Sequence, residues 1–305
     1  MSANLFELFT TQFSTNLELK LQQMGSLLRG KVREGFHVGK QASPINQIGA
    51  IQLTAPAGRF APKNATNADF TRRWVMPSDG EINQMIDTFD ELKTIVDPKS
   101  QYVENASNAV GRAWDDAIIA AAFGNASIGT DAGSLSTETF DKTKFQIAAN
   151  FGASAGTGMT VAKLIEARRI LRHYHNDLER DTPTIVIGSQ QESELLKSVQ
   201  VTSDEFNDRP VLVDGQIKRF LGFDFVVTER LPVDTTPNRK VLVFVKSGLY
   251  LGMWKDQTNR VSIRNDLSSE PYQLYTSVSY GATRTQPGKV LQILCADSSG
   301  SDITP

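Results

Sequence analysis

Side chains able to do chemistry cluster in four places along this 305-residue chain. The run Gly152-Ala153-Ser154-Ala155-Gly156-Thr157-Gly158 has the glycine content of a phosphate-cradling loop. Such a loop needs backbone amides wrapped around the anion and a following Lys-Ser/Thr to reach the phosphate and its magnesium. Met159-Thr160 follows instead, and Lys163 lies inside the next predicted helix, so the run reads as a hinge between domains. His173 and His175, with Asp177 and Glu179, hold metal-ligand residue types. Helical residues two apart point to nearly opposite sides, and chelating pairs on a helix are spaced by three or four, so these form a solvated face. The third histidine, His37, is distant in sequence. Cys295 follows the apolar run Val290–Leu294 and reads as a buried, inert thiol. Asp115 and Asp116 diverge on a helix and make a poor general acid and base, and no serine occupies a Gly-x-Ser-x-Gly elbow. The expectation is a non-enzyme with no cofactor and no metal site.

The elements that would position these groups follow from periodicity. At about 100° per residue, Phe6, Phe9, Phe13, Leu17, Leu21, Met24 and Leu28 share one sector, predicting a helix within 1–30. Its stripe packs either on its own domain or on a neighbouring subunit. Residues 31–76 are marked by Gly35, Gly39, Pro44, Gly49, Pro56, Gly58 and Pro62. They form either a flexible insertion or a long two-stranded excursion closed near Ala55–Asn67, and a segment of this length is usually functional or disordered. Pro77 and Ser78 open a short helix through about Thr94. Asp97 as N-cap and Pro98 at the first helical position start a long helix over 98–123, ended by Gly124. Its stripe is Val103, Ala106, Val110, Trp114, Ala117 and Ala121, with Asn108, Arg112 and Asp116 opposite. A strand at 140–147, helices at 160–178 and 190–198, and strands at 183–188, 210–213 and 223–227 come next. Strands at 241–245, 249–254, 260–264, 272–283 and 289–296 close the chain. Without regular βαβ alternation the class is α+β.

Composition narrows the function. The chain is 40% hydrophobic and 22% charged, with 32 Lys and Arg against 34 Asp and Glu, a formal net charge of −2. That lacks the basic excess of a bulk nucleic-acid binder. A single cysteine excludes an internal disulfide, no apolar run has the length of a membrane span, and Met1-Ser2-Ala3-Asn4 does not open a signal peptide. A soluble protein of a reducing compartment, without a membrane partner, is expected. The charge is unevenly spread. From Arg29 to Val75 eight basic residues face only Glu34 and Asp69, a net +6, whereas from Met76 to Asp116 nine acids face Lys93, Lys99 and Arg112, a net −6.

Residues 215–232 read Gly-Gln-Ile-Lys-Arg-Phe-Leu-Gly-Phe-Asp-Phe-Val-Val-Thr-Glu-Arg-Leu-Pro. This resembles the stretch of tailed-bacteriophage major capsid proteins in which a Gly-x-Ile/Leu turn leads to Leu-x-Gly-Phe, an apolar strand and Leu-Pro. The end of the long helix, Asp115-Asp116-Ala117-Ile118-Ile119-Ala120-Ala121-Ala122-Phe123-Gly124, is similar to capsid proteins of podovirus-like phages, and the order of elements matches across nearly the whole chain. The resemblance implies the HK-ninety-seven-like capsid fold. An N-arm would occupy 1–30, an E-loop 31–76, a P-domain with the long spine helix 77–158 and 241–305, and an A-domain 159–240. It implies hexamers and pentamers forming an icosahedral shell around double-stranded DNA, held without sequence specificity. It also implies a separate scaffolding protein, since the chain has no room for a fused one, a portal, and assembly in the host bacterial cytoplasm into a virion. Some members carry Lys–Asn crosslinks; Lys63 is available, but no partner is identified and no bond is predicted.

The charge pattern adds an expectation of its own. Arg59, Lys63, Arg72 and Arg73 of the loop would meet Asp87, Asp90, Glu91 and Glu104 of a neighbouring subunit, while Phe6, Phe9, Phe13, Leu17 and Leu21 pack the N-arm. Exposed pairs contribute about 0–1 kcal/mol each, so apolar burial must supply most of the affinity and charge the register. Two alternatives compete. An encapsulin-like compartment would show a cargo-peptide groove; a soluble α+β enzyme using Gly152–Gly158 for an anion or nucleotide would be stabilised by that ligand.

Overall fold

In the larger of two compact units, the apolar runs 183–187, 241–245 and 290–295 lie side by side in one six-stranded mixed sheet. The computed structural model describes residues 21–39, 42–53, 55, 67–86, 99–130, 133–198, 212–213, 216–234, 237–268 and 270–297. One unit comprises 1–26, 79–113 and 255–279, the other 27–78, 114–254 and 280–305. The strands, numbered along the chain, are β1 (Arg33–Phe36), β2 (Ala42–Ile48), β3 (Phe70–Val75), β4 (Ser78–Ile86), β5 (Ala126–Ile128), β6 (Ser136–Glu138), β7 (Gln146–Ile147) and β8 (Pro183–Ile187). They continue with β9 (Leu212–Val213), β10 (Gln216–Ile217), β11 (Arg219–Phe220), β12 (Phe223–Val227), β13 (Asn238–Val245), β14 (Leu249–Ile263), β15 (Tyr272–Arg284) and β16 (Val290–Ala296). The helices are α1 (Lys99–Phe123), α2 (Lys142–Phe145), α3 (Val161–His173) and α4 (Ser189–Leu196).

In the larger unit the six-stranded sheet runs β11-β12-β8-β13-β16-β7. Every residue of β8 is buried, as are Val241–Val245 of β13 and Val290–Cys295 of β16. Runs apolar on both faces fit strands covered on both sides. Leu164, Ala167 and Leu171 of α3 and Leu195 of α4 belong to the same core. β8 and β12 pair in parallel, with α4 in the chain between them, while β13 is antiparallel to both β8 and β16. The Leu-Gly of the capsid-like motif is the two-residue loop between β11 and β12. Phe220 faces Phe223, and Leu221 and Gly222 adopt φ of 50° and 80°. Two successive positive φ values define the tight primed hairpin turn, which accounts for the glycine.

A second sheet of the larger unit runs β2-β3-β5-β6. Residues 42–48 and 70–75 form the two-stranded excursion rather than the flexible insertion. Its base begins later than expected, because β1 lies parallel to β14, Arg33 opposite Tyr250 through Phe36 opposite Met253. The expected tip, at 56–66, lies outside the described residues.

In the smaller unit the first half of α1 buries Ala106 and Val110, and Ser107 donates to Gln257 Oε1 at 3.0 Å. β4, β14 and β15 are neighbours in the sheet ordered β1-β14-β15-β4. Arg264 pairs with Asp266 at the turn between β14 and β15, which holds that carboxyl down at a pKa of about 2.

Several expectations are corrected. The helix predicted from Pro77 is strand β4 over its described part, where Gly80, Ile82, Gln84 and Ile86 alternate with exposed residues at the period of two that a strand requires. Residues 21–28 are not helical, and only Arg29–Lys31 makes a 3-10 turn; 1–20 lie outside the described residues. The strand expected at 140–147 is a helical turn capped by Asp141, whose carboxylate accepts from the Thr143 and Lys144 amides, followed by the two-residue β7. α3 stops at His173, five residues early: His175 takes a φ of 55° and Asn176 N–H returns to Leu171 O, the left-handed helix stop. The strands expected at 249–254 and 260–264 are one, β14. Its polar middle is carried by cross-strand bonds, Lys255 Nζ to Ser277 Oγ at 2.6 Å and Thr276 Oγ1 to Asn259 Oδ1 at 2.9 Å.

Candidate assembly surfaces

The β2–β3 hairpin is built by a regular antiparallel register, Ile48 opposite Phe70 through Ile45 opposite Arg73, with an irregularity between Ala42 and Ile45. Gly49 N–H extends the ladder to Asp69 O at 2.7 Å. Ile48 is 65% exposed and Phe70 62%, and Ile51 and Leu53 are exposed beyond them. Ile48, Ile51, Leu53 and Phe70 together make an exposed apolar strip on the hairpin.

Strand alternation separates the two arginines predicted to act together. Arg72 is exposed, its Nη1 3.4 Å from Thr130 O. Arg73 points the opposite way, is 6% exposed, and pairs with Glu138 of its own chain. Arg73 as an inter-subunit contact is therefore corrected: neighbouring residues on a strand face opposite sides. Arg59 and Lys63 lie outside the described residues, as do Asp87, Asp90 and Glu91. Glu104 is exposed on α1.

Part of the acidic excess is consumed internally. Asp115, fully buried, accepts the Leu27 and Leu28 amides at 3.0 and 3.1 Å, and Asp116 is held by a two-pronged pair with Arg230. In the smaller unit, Gly25 N–H donates to Asn108 Oδ1 at 3.0 Å, and Arg112 Nη1 donates to Gln22 Oε1 at 2.7 Å and Gln23 O at 3.1 Å. A Cβ on Gly111 would overlap the Gly25 and Ser26 backbone. The helix face opposite the apolar stripe thus carries the incoming segment. Phe6, Phe9, Phe13 and Leu17 lie outside the described residues; Leu21 is fully exposed, whereas Leu28 is fully buried.

The chemical candidates of the sequence are satisfied by structure. Lys163, without exposed surface, donates to Thr157 O, Gly158 O and Leu294 O at 2.7, 2.8 and 3.0 Å. The Met159 amide is taken by Glu194, and a Cβ on Gly158 would run into that carboxylate. This lysine clamps the glycine run from its carbonyl side, and burial lowers its pKa. Burial pushes the Cys295 thiol up to about 12. His173 and His175 sit on either side of the helix stop, and among the described residues no group of His, Cys, Asp and Glu is placed to hold a metal ion. His37 follows directly after β1, and its Nε2 lies 2.7 Å from the Tyr250 hydroxyl beside Trp254. A cavity of about 420 Å³ beside α3 is lined by Lys144, Phe151, Glu166, Arg169, His173 and Tyr174, with Glu166 and Arg169 already paired at 2.7 Å. No helix among the described residues is long and apolar enough to cross a membrane.

Sequence reasoning missed Asp115, Gly111, Lys163 and Arg284 as organising residues. Only Gly111, a glycine inside a strong helix, carried a local signal, because a mid-helix glycine costs stability and usually has a packing reason.

An exposed apolar hairpin stands beside a buried six-stranded mixed sheet, and solved capsid chains share this fold. The capsid of Cyanophage P-SCSP1u superposes with a TM-score of 0.73 at 16% identity, over 98% of this chain and 96% of that one. The Cyanophage Pam1 capsid gives 0.71 at 13%, over 98% and 99%, and the capsid of Ralstonia phage GP4 gives 0.69 at 9%, over 98% and 97%. No curated protein matches the sequence. The family model described as phage capsid protein matches residues 6–297, and the chain belongs to that family. It is a major capsid protein, a structural component of the virion shell.

Proposed function

We propose that the chain assembles into hexamers and pentamers that close an icosahedral shell around the double-stranded DNA of a tailed phage, each copy laying its β2–β3 hairpin on a neighbour. The observation that carries the hairpin's role is the exposed Ile48–Phe70 pair with Ile51 and Leu53 beyond it. In HK-ninety-seven-like terms the hairpin, from about residue 42 to 75, is the E-loop, α1 the spine helix of the P-domain, and residues 1–30 the N-arm. The A-domain is built on the six-stranded sheet, which adds β7, β16 and most of β13 to the 159–240 region. Arg72 orients the hairpin toward acidic residues of the neighbour, Glu104 among them, and the apolar strip supplies the affinity. A separate scaffolding protein, a portal and assembly in the host bacterial cytoplasm belong to the same reading. The near-neutral chain suits a wall that touches packed DNA weakly and without sequence preference. The test is electron microscopy of the expressed protein with and without scaffold. Closed shells or capsomers are expected; a monodisperse compact monomer under both conditions overturns the reading.

A further inference from the structure

Three charged side chains of the larger unit meet where the hairpin joins the body. Arg284, at the end of β15, has no exposed surface. Its Nη1 donates to Ala122 O and Gly124 O, each at 2.9 Å, closing the C-terminal end of α1. Its Nη2 reaches Glu138 O on β6 at 3.3 Å, and its guanidinium carbon lies 5.3 Å from the centre of the Phe140 ring. The side chain of that same Glu138 pairs with the buried Arg73 of β3. Glu138 is thus gripped through its carbonyl by one arginine and through its carboxylate by the other.

The ladder between β3 and β5 is only two residues long, Arg73 opposite Ile128 and Trp74 opposite Ser127. So short a ladder is compliant in twist. Beyond it, Gly129 N–H reaches Arg72 O at 3.2 Å, Trp74 Nε1 reaches Gly129 O at 3.0 Å and Gln47 Nε2 reaches Thr285 O at 2.9 Å, and the ion pair is the charged contact that fixes the hairpin's direction. Two buried guanidiniums converge on one residue, Arg73 on the Glu138 carboxylate and Arg284 on its carbonyl, and the Nε of each has no partner among the described residues. Removing one member of a buried charge group costs far more than the group contributes when whole, so the cluster tolerates a single arrangement.

We infer that Arg73, Glu138 and Arg284 are positioning residues that lock the direction of the β2–β3 hairpin to the C-terminal end of α1, and thereby set the angle between neighbouring copies and the diameter of the shell. The inference rests on the reading that the hairpin docks on a neighbour. That chain of contacts leads from the spine helix to the assembly surface without passing through the six-stranded core, so a change at the cluster is felt at the hairpin first.

Glu138→Gln keeps the size and an acceptor oxygen while removing the charge. In the full chain, unassembled, hydrogen exchange at Asn46–Ile48 and Thr71–Arg72 is expected to quicken roughly tenfold while β13 and β16 stay at wild-type rates. In electron micrographs, shells of the variant are expected to spread in diameter where the wild type gives one size. Unchanged hairpin exchange with a single wild-type diameter overturns the inference, and so does an acceleration shared equally by the whole unit, which reports general loosening. If Glu138→Gln does not fold, Arg73→Lys, which keeps the charge but not the planar fork, is read by the same two measurements and the same outcomes. A wild type that builds no shell overturns the docking reading, whereas a hairpin-specific exchange change in the unassembled chain still reports the lock.

Discussion

The six-stranded sheet and the β2–β3 hairpin belong to one unit, yet β8 hides all five of its side chains whereas Ile48 and Phe70 face each other in water. Burying a large apolar side chain contributes about 1.5–3 kcal/mol. The sheet collects that within the subunit, and in the proposed assembly the hairpin collects it between subunits. Stability and assembly are thereby assigned to different residues, and substitutions should separate them.

The largest effect on the isolated subunit is expected from Phe244→Ala, near the C-terminal end of the central strand β13 and fully buried. Removing a buried phenylalanine costs about 3–5 kcal/mol, which urea unfolding of the unassembled chain measures directly. A loss below about 1 kcal/mol would place the stability centre elsewhere than this sheet. Shells built from whatever subunit remains folded should keep the wild-type form.

Next in size is an alkaline loss traced to Cys295. Its thiol is raised by burial to about 12, against an unfolded value near 9. Between these values the unfolded chain has released the proton and the native chain has not, so the unfolded state binds fewer protons and stability falls with rising pH. The fall approaches about 1.4 kcal/mol per pH unit and is absent below the ordinary thiol range. Comparing urea midpoints of wild type and Cys295→Ala from pH 7 to 11 isolates it from other titrating groups. Parallel curves would mean that the thiol ionises as readily in the native chain.

The double substitution Ile48→Ser with Phe70→Ser reverses the pattern. Both side chains are mostly exposed, so the unassembled chain should keep its stability within about 0.5 kcal/mol. Shell formation, followed by light scattering and microscopy, should be lost. Normal shells from this variant would remove the apolar strip from the interface and leave the hairpin's exposure without a function.

The same division explains what was legible in the sequence. Long elements with a strong period were readable: α1 begins and ends within a residue of its Asp97-Pro98 and Gly124 signals, and the Thr-Ile-Val-Ile run of β8 stands between a proline and a glycine. At β4 the Pro77-Ser78 start signal points to a helix, although Ile82, Gln84 and Ile86 carry the period of two. Long-range polar partners were illegible in principle. Lys163 and Leu294 are 131 positions apart, and Arg284 and Ala122 are 162 apart, and no local pattern records such pairings. The capsid-like motif at 220–223 was readable because its glycine answers a purely local demand, a turn with positive φ.

The smallest effect, and the one that refines the comparison most, separates Arg72 from Arg73. Charge alone made them equivalent; the strand turns one outward and the other into the ion pair with Glu138. Arg72→Glu should leave subunit stability within about 0.5 kcal/mol, because its contact with Thr130 O is long and solvated. An exposed pair across an interface is worth about 0–1 kcal/mol, so the shell should still form. What should change is the rate: assembly at low salt slows because the reversed charge no longer steers the hairpin toward an acidic neighbour. At about 1 M salt the screening length falls to about 3 Å and the two rates should converge. Arg73→Glu, by contrast, sets a second carboxylate against Glu138 in a buried site, and its defect should persist at every salt concentration, since buried charges are poorly screened. Equal rates for Arg72→Glu and wild type across the salt range would leave the apolar strip as the hairpin's whole contribution, with the basic excess of residues 29–75 reduced to solvated surface.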